Sequence, residues 1–441
     1  MPARRLLLAS AAAAAACLVA PCVPAVADTD SHPVVSRGVT IPAFYNPPTA
    51  LPTTDGTVIR SEPLPLALSL PGPHGPLPGR ATRLMYKSTD AGGGPVAVTG
   101  AYIEPAARWD RGGPRPLVVV APGTMGQGDQ CAASMGLEHP VTFNGRTMSV
   151  GYEDLSVHRL LAEGVAVVVT DYVGLGATDR LHTYVDRVDE AHAVLDAARA
   201  ARSVAGASVT AASPVGLFGY SQGGGATAAA AELHRSYAPD VPLAGTYAGA
   251  PPADLTEVTE AIDGSELAGA LGWSLNGFLQ SAPELRPIAE AHLNRAGRAA
   301  LADLSTMCVG DALFGYGYTR STRWTTDGQS VSDVIRSTPA LQAFLDGQRI
   351  GRLRPTGPVR VATGTSDDLV PHAQARRLAA DWCRQGADVT YEAVVLPDVG
   401  SALVNHFGPL LADQGSAVAW LTDRLAGRPA RSDCVTLPLQ P

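Results

Sequence analysis

Past its first 27 residues the chain has no apolar run long enough to span a bilayer, which takes about 20 residues as a helix. It has no CxxC pair and no clustered His/Cys spacing, so nothing in the pattern argues for a zinc site. It has no excess of basic charge: the formal net charge is −8, a balance that argues against nucleic acid as a partner. No internal repeat is present, and "GLGATD" lacks the third glycine and the following acid of a dinucleotide fingerprint.

What is present begins with Arg4 and Arg5, an apolar stretch from Leu6 to Val19, and small residues at "AVA" (Ala25 to Ala27). This pattern predicts a secretory signal peptide over residues 1–27 and a secreted, extracellular mature protein. Its removal would leave Cys131, Cys308, Cys383 and Cys434 and a still more acidic chain. Four cysteines in an oxidising compartment suggest two disulfides, for which three pairings are open. Residues 28–80 form a proline-rich lead, with ten prolines between Ile41 and Arg80. Such a segment makes neither central strands nor long helices, and reads as an ordered wrap or a linker.

Beyond it, short β-branched runs alternate with helical stretches. "TRLMYKS" and "VAVTGAYIE" nearly alternate and suit antiparallel pairing; "PLVVVAPG", "VAVVVTDY", "VGLFGY" and "VRVATG" are almost continuously apolar, as parallel strands covered on both faces are. Strand then helix, repeated, predicts an α/β fold with a doubly wound, mostly parallel sheet. The rhythm breaks from about Leu255 to Gln348, where the pattern is helical, with Leu267, Leu271, Leu275, Phe278 and Leu279 on one face. The expected organisation is a core of residues 81–254 and 351–441 with a helical cap inserted over 255–350.

The stretch "LFGYSQGGGAT" sets Ser221 between the end of a predicted strand and the start of a predicted helix. Gly219-Tyr220-Ser221-Gln222-Gly223 has the form G-x-S-x-G, a strained turn whose flanking positions have no room for side chains, and it should leave the serine hydroxyl exposed at the sheet edge. A serine needs a base, and the base an orienting acid. "TSDDLVP" offers Asp367 just past a strand tip, with Asp368 as its rival. Of the ten histidines only His372 and His406 follow that acid, and His406, in the predicted loop "DVGSALVNHFGP", is the expected base. Backbone N–H groups of Gln222, at a helix start, and of Thr124, after "PLVVVAPG", are the expected oxyanion donors, with Met125 as runner-up to Thr124. His182, in "HTY", reads as a structural hydrogen-bonding residue.

These residues resemble the secretory lipase family (yeast lipase A-like), in its actinobacterial branch. The likeness runs through "AFYNPP", "VVVAPGTMGQGDQCA", "TDYVGLGATDRLHTYVD", "GLFGYSQGGGATAAAAEL", the helical insertion, "DDLVP" and "NHFG". It implies an α/β-hydrolase with a helical cap, ester hydrolysis by Ser221, Asp367 and His406, and no metal or organic cofactor. The chain departs from the yeast enzyme at the oxyanion loop and at Gln222, where that enzyme has glycine. The expected partners are a small-molecule ester or lipid and, transiently, a lipid interface. Cys131 is expected to pair with Cys308, fastening the cap to the loop of Thr124, and Cys383 with Cys434, tying down the C-terminal tail. A feruloyl or polyester esterase, or an acyltransferase, would share the triad; a binding protein on a hydrolase scaffold would be expected to have lost one of its members.

Overall fold

The computed structural model describes residues 33–72 and 76–441. The expected leader, 1–27, lies outside the described residues, as do residues 28–32 of the proline-rich lead.

Among the described residues nine strands form one sheet: β1 (Val58–Leu64), β2 (Gly79–Thr89), β3 (Pro95–Pro105), β4 (Leu117–Ala121), β5 (Ala166–Val173), β6 (Val215–Tyr220), β7 (Leu243–Gly249), β8 (Val359–Gly364) and β9 (Val389–Val394). Their order across the sheet is β9-β8-β7-β6-β4-β5-β3-β2-β1. From β9 to β5 every pairing is parallel; β3, β2 and β1 join antiparallel. Strands β4, β5, β6 and β8 are buried at every position, which is why they read as continuous apolar runs.

The period of two sorts each strand's residues between two cores. Leu117, Val119 and Ala121 of β4 join one core with helices α2 (Arg187–Ala201), α3 (Gln222–Tyr237) and α4 (His372–Arg384). Val118 and Val120 join the other, with helix α1 (Asp154–Ala162) and helix α5 (Ala402–Leu425). Each such valine or leucine side chain, fully withdrawn from water, contributes roughly 1.5–3 kcal/mol.

The proline-rich lead does more than wrap. Residues 58–64 form the edge strand β1, where the missing N–H of Pro63 costs no central hydrogen bond. Ile41, Phe44 and Tyr45 are buried, and the Tyr45 hydroxyl lies 2.8 Å from Ser134 Oγ.

Between β7 and β8 the chain leaves the sheet and forms seven α-helices from Leu255 to Gly347 among the described residues. They have small cores of their own, one around Leu271, Trp273 and Leu304, another around Leu279, Leu285 and Leu341. After β9 the structure corrects the expected loop: His406 stands on helix α5, in its second turn. Ser401 caps that helix by accepting from the Val404 N–H at 3.3 Å. Pro409 stays inside the helix and packs onto β8, where a Cβ on Gly364 would stand 2.4 Å from Pro409 Cγ. The lost backbone bond is offset by the buried face of Ala417, Val418, Leu421 and Leu425. A disulfide joins Cys383, on α4, to Cys434 in the C-terminal tail.

Candidate active site

The site begins at the turn from β6 to α3. Ser221 adopts φ 59°, ψ −124°, a conformation that a residue with a side chain seldom holds unless its surroundings impose it. They do. The Ser221 N–H donates to Gly249 O at 2.9 Å, and its carbonyl accepts from the Gly225 N–H at 3.0 Å. The glycines are steric necessities: a Cβ on Gly219 would lie 2.1 Å from Gly223 O, and one on Gly223 would lie 2.0 Å from Ala121 O.

Three side chains then meet in line. Ser221 Oγ donates to His406 Nε2 at 2.8 Å, and His406 Nδ1–H donates to Asp367 Oδ2 at 2.7 Å. Asp367 Oδ1 accepts from the N–H groups of Leu369 and Val370 at 3.1 and 3.0 Å, which fixes the carboxylate just beyond β8. The Tyr220 hydroxyl donates to the carbonyl of His406 at 2.7 Å and anchors its backbone. The rivals go elsewhere. Asp368 is exposed, and His372 faces the Tyr391 hydroxyl at 3.3 Å. The expected exposure of the serine is corrected: Ser221 is 7 % and His406 1 % exposed, because the helices of the insertion lie over this edge of the sheet.

Thr124 follows β4 and Gln222 opens α3. Among the described residues neither backbone N–H has an acceptor, which leaves both free to donate. The loop of Thr124 is held from several sides. Gly123 N–H donates to Glu153 Oε1 at 2.7 Å, the Tyr152 hydroxyl donates to Thr124 O at 2.9 Å, and the Tyr184 hydroxyl lies 2.7 Å from Thr124 Oγ1. The inserted helices hold it too: Val309 N–H donates to Met125 O at 2.8 Å, and a disulfide joins Cys131 to Cys308. Met125, the runner-up donor, is buried.

His182 does not reach Ser221. Its Nδ1–H donates to Val173 O at 2.9 Å, so Nε2 is left to accept from the Gln222 side-chain amide at 3.1 Å. Burial lowers its pKa to about 4 and keeps the ring neutral. Two acids near the site were not singled out by sequence. Burial pushes the Glu153 carboxyl up to about 7 and that of Glu190, which accepts from Gln222 Nε2 at 2.7 Å, well above its usual range. In sequence each is an ordinary acid near a helix start, and only burial sets them apart.

An apolar cavity, partly open to solvent, adjoins Ser221 and His406. Leu255, Val258, Ile262, Leu267, Ala270 and Phe278 of the inserted segment give it an apolar wall, and no Asp, Glu, Lys or Arg lines it among the described residues. The arrangement can draw a proton from a serine hydroxyl and receive an uncharged, apolar chain beside it.

The family model described as "Secretory lipase" matches residues 137–433, and the chain belongs to that family. It is 31% identical over 394 residues to the probable inactive lipase MT1628 of Mycobacterium tuberculosis, covering 88% of this chain and 82% of that protein. It is 25% identical over 399 residues to the secreted triacylglycerol lipase LIP7 of Malassezia globosa, covering 89% and 80%. Among solved structures, Candida antarctica lipase A in its closed state superposes with a TM-score of 0.72 at 20% identity, covering 88% of this chain and 86% of that one. The fold is therefore that of α/β-hydrolase lipases, and the family supports ester hydrolysis. The matched residues begin after Thr124 and Cys131, so the family model does not reach the loop that departs from the yeast enzyme.

Proposed function

We propose that the protein is an exported carboxylic ester hydrolase of lipase type that works through an acyl-enzyme on Ser221. The observation that carries this reading is the Ser221–His406–Asp367 chain of hydrogen bonds, at 2.8 and 2.7 Å, beside an apolar cavity. His406 takes the hydroxyl proton as Ser221 Oγ attacks the ester carbonyl, and Asp367 holds the Nδ1–H tautomer and stabilises the imidazolium. The N–H groups of Gln222 and Thr124 receive the oxyanion; removal of one such donor costs roughly 3–4 kcal/mol in measured cases. The alcohol leaves with the proton from His406, and water, activated by the same histidine, releases the acid.

In this reading residues 255–350 act as a cap over a core formed by 81–254 and 351–441, and the leader 1–27 is removed on export. Two disulfides support an oxidising destination. One relative is named inactive and another a triacylglycerol lipase. The intact hydrogen-bonded triad supports activity here.

Each methylene withdrawn from water adds about 0.8 kcal/mol, close to fourfold in affinity. Acyl chains that fill the cavity should therefore be preferred. A p-nitrophenyl ester series from acetate to palmitate, run beside emulsified triolein, tests this. The expected profile peaks at medium chains, about C6 to C12, with some triolein hydrolysis. A profile that peaks at acetate and falls steadily, with no triolein hydrolysis, would remove the lipase reading and leave a small-ester hydrolase.

A further inference from the structure

The two oxyanion donors of the proposed mechanism sit on separate elements, Thr124 after β4 and Gln222 at the head of α3, and something must fix the distance between them. One short segment touches both. On one side the Tyr184 hydroxyl lies 2.7 Å from Thr124 Oγ1, and the His182 carbonyl accepts at 2.9 Å from the side chain of Gln127 in the same loop. On the other side His182 Nε2 accepts from Gln222 Nε2 at 3.1 Å. Glu190 Oε1 closes the link, accepting from Gln222 Nε2 at 2.7 Å and from the Val185 N–H at 3.0 Å.

Two further observations mark the segment as more than packing. Val185 has φ 57°, a β-branched residue in the left-handed region, and it lines the cavity with Tyr184. Such a conformation is strained and persists only where neighbours enforce it. Glu190, 3 % exposed, makes no salt bridge among the described residues, and its Oε1 is held by the two neutral donors alone. Burial pushes the pKa of its carboxyl up. A neutral group can hold Gln222 without opposing a nearby oxyanion, whereas a carboxylate would repel it.

We propose that residues 182–185, tied to Gln222 by Glu190 of α2, are a brace that sets the spacing of the two oxyanion donors, with Tyr184 and Glu190 as positioning residues. The proposal rests on the reading of Ser221 as nucleophile. It acts on the transition state and not on binding: a donor displaced by 1 Å loses about a hundredfold in rate while the ground-state ester is held as before.

The test uses the full mature chain, with sites counted by fluorophosphonate labelling, kcat and KM measured on p-nitrophenyl octanoate, and Tm followed in parallel. Tyr184→Phe and Glu190→Leu should still label to completion, yet lose about 10- to 100-fold in kcat per labelled site, with KM within about threefold. Glu190→Gln, neutral and of the same shape, should stay within about threefold of the wild type in kcat. Tyr184→Phe removes a single oxygen, so it decides the matter should Glu190→Leu fail to fold. Wild-type kcat per labelled site in Tyr184→Phe, or an effect confined to KM, would overturn the brace while leaving the nucleophile intact. A fall in Glu190→Gln as large as that in Glu190→Leu would overturn the role of Glu190 as the hydrogen-bond acceptor that holds Gln222. A wild-type protein that takes no label would overturn the functional reading and the brace with it.

Discussion

Asp367 divides its carboxylate between two duties: Oδ2 accepts from His406 Nδ1 at 2.7 Å, while Oδ1 is held by the N–H groups of Leu369 and Val370. The neighbouring Asp368 is exposed. Asp367→Asn puts an amide beside His406 and favours the wrong tautomer. Its kcat should fall by about 10³- to 10⁴-fold. Asp368→Asn should stay within a few-fold of the wild type, and steady-state kinetics of the pair checks the ranking.

The glycines of the Ser221 turn make a prediction about folding. A Cβ on Gly223 would meet the Ala121 carbonyl at 2.0 Å, and backbone cannot yield there. Gly223→Ala should lose at least about 3 kcal/mol of stability or fail to fold. Gly347→Ala, where a Cβ meets nothing within 4 Å, should fold normally. Thermal unfolding of the two variants makes the comparison.

How much of this was legible in the sequence follows from how local each cause is. The Ser221 turn could be read because its steric demand is met by glycines two residues away. The parallel half of the sheet could be read because strands covered on both faces are continuously apolar. The expected loop "DVGSALVNHFGP" is instead, from Ala402, the start of helix α5, because Gly and Pro there disfavour a helix locally while packing of Pro409 over Gly364 supports one. The exposure of Ser221 was misjudged because residues distant in sequence cover it. Tyr152, Glu153 and Glu190 carried no signal, since their roles depend on burial and on partners 5 to 30 residues away.

The disulfides should separate stability from catalysis. They span 177 and 51 residues, worth roughly 5 and 4 kcal/mol in the chain-entropy model. Loss of either should lower Tm. Only loss of the Cys131–Cys308 bond, which fastens the loop of Thr124, should also lower kcat below the unfolding temperature. Paired Cys→Ser variants, with kcat and Tm measured side by side, distinguish the two effects.

Glu153 should give stability a pH dependence. Its folded pKa, raised by burial to about 7 from 4.5, means that the unfolded chain releases a proton which the folded protein keeps. Its stabilising contribution is therefore present below about pH 4.5 and lost as pH rises through about 7, by up to roughly 3 kcal/mol. Glu153→Gln cannot titrate, so its Tm should gain on that of the wild type from pH 5 to pH 8. Parallel Tm curves across that range would contradict the assignment.

The most direct test of the central claim is fluorophosphonate labelling and p-nitrophenyl octanoate turnover in the wild type and in Ser221→Ala. The wild type should label at Ser221 and turn over the ester, while the variant does neither and keeps its cooperative unfolding. Label or turnover persisting in Ser221→Ala, or a folded wild type that shows neither, would contradict it.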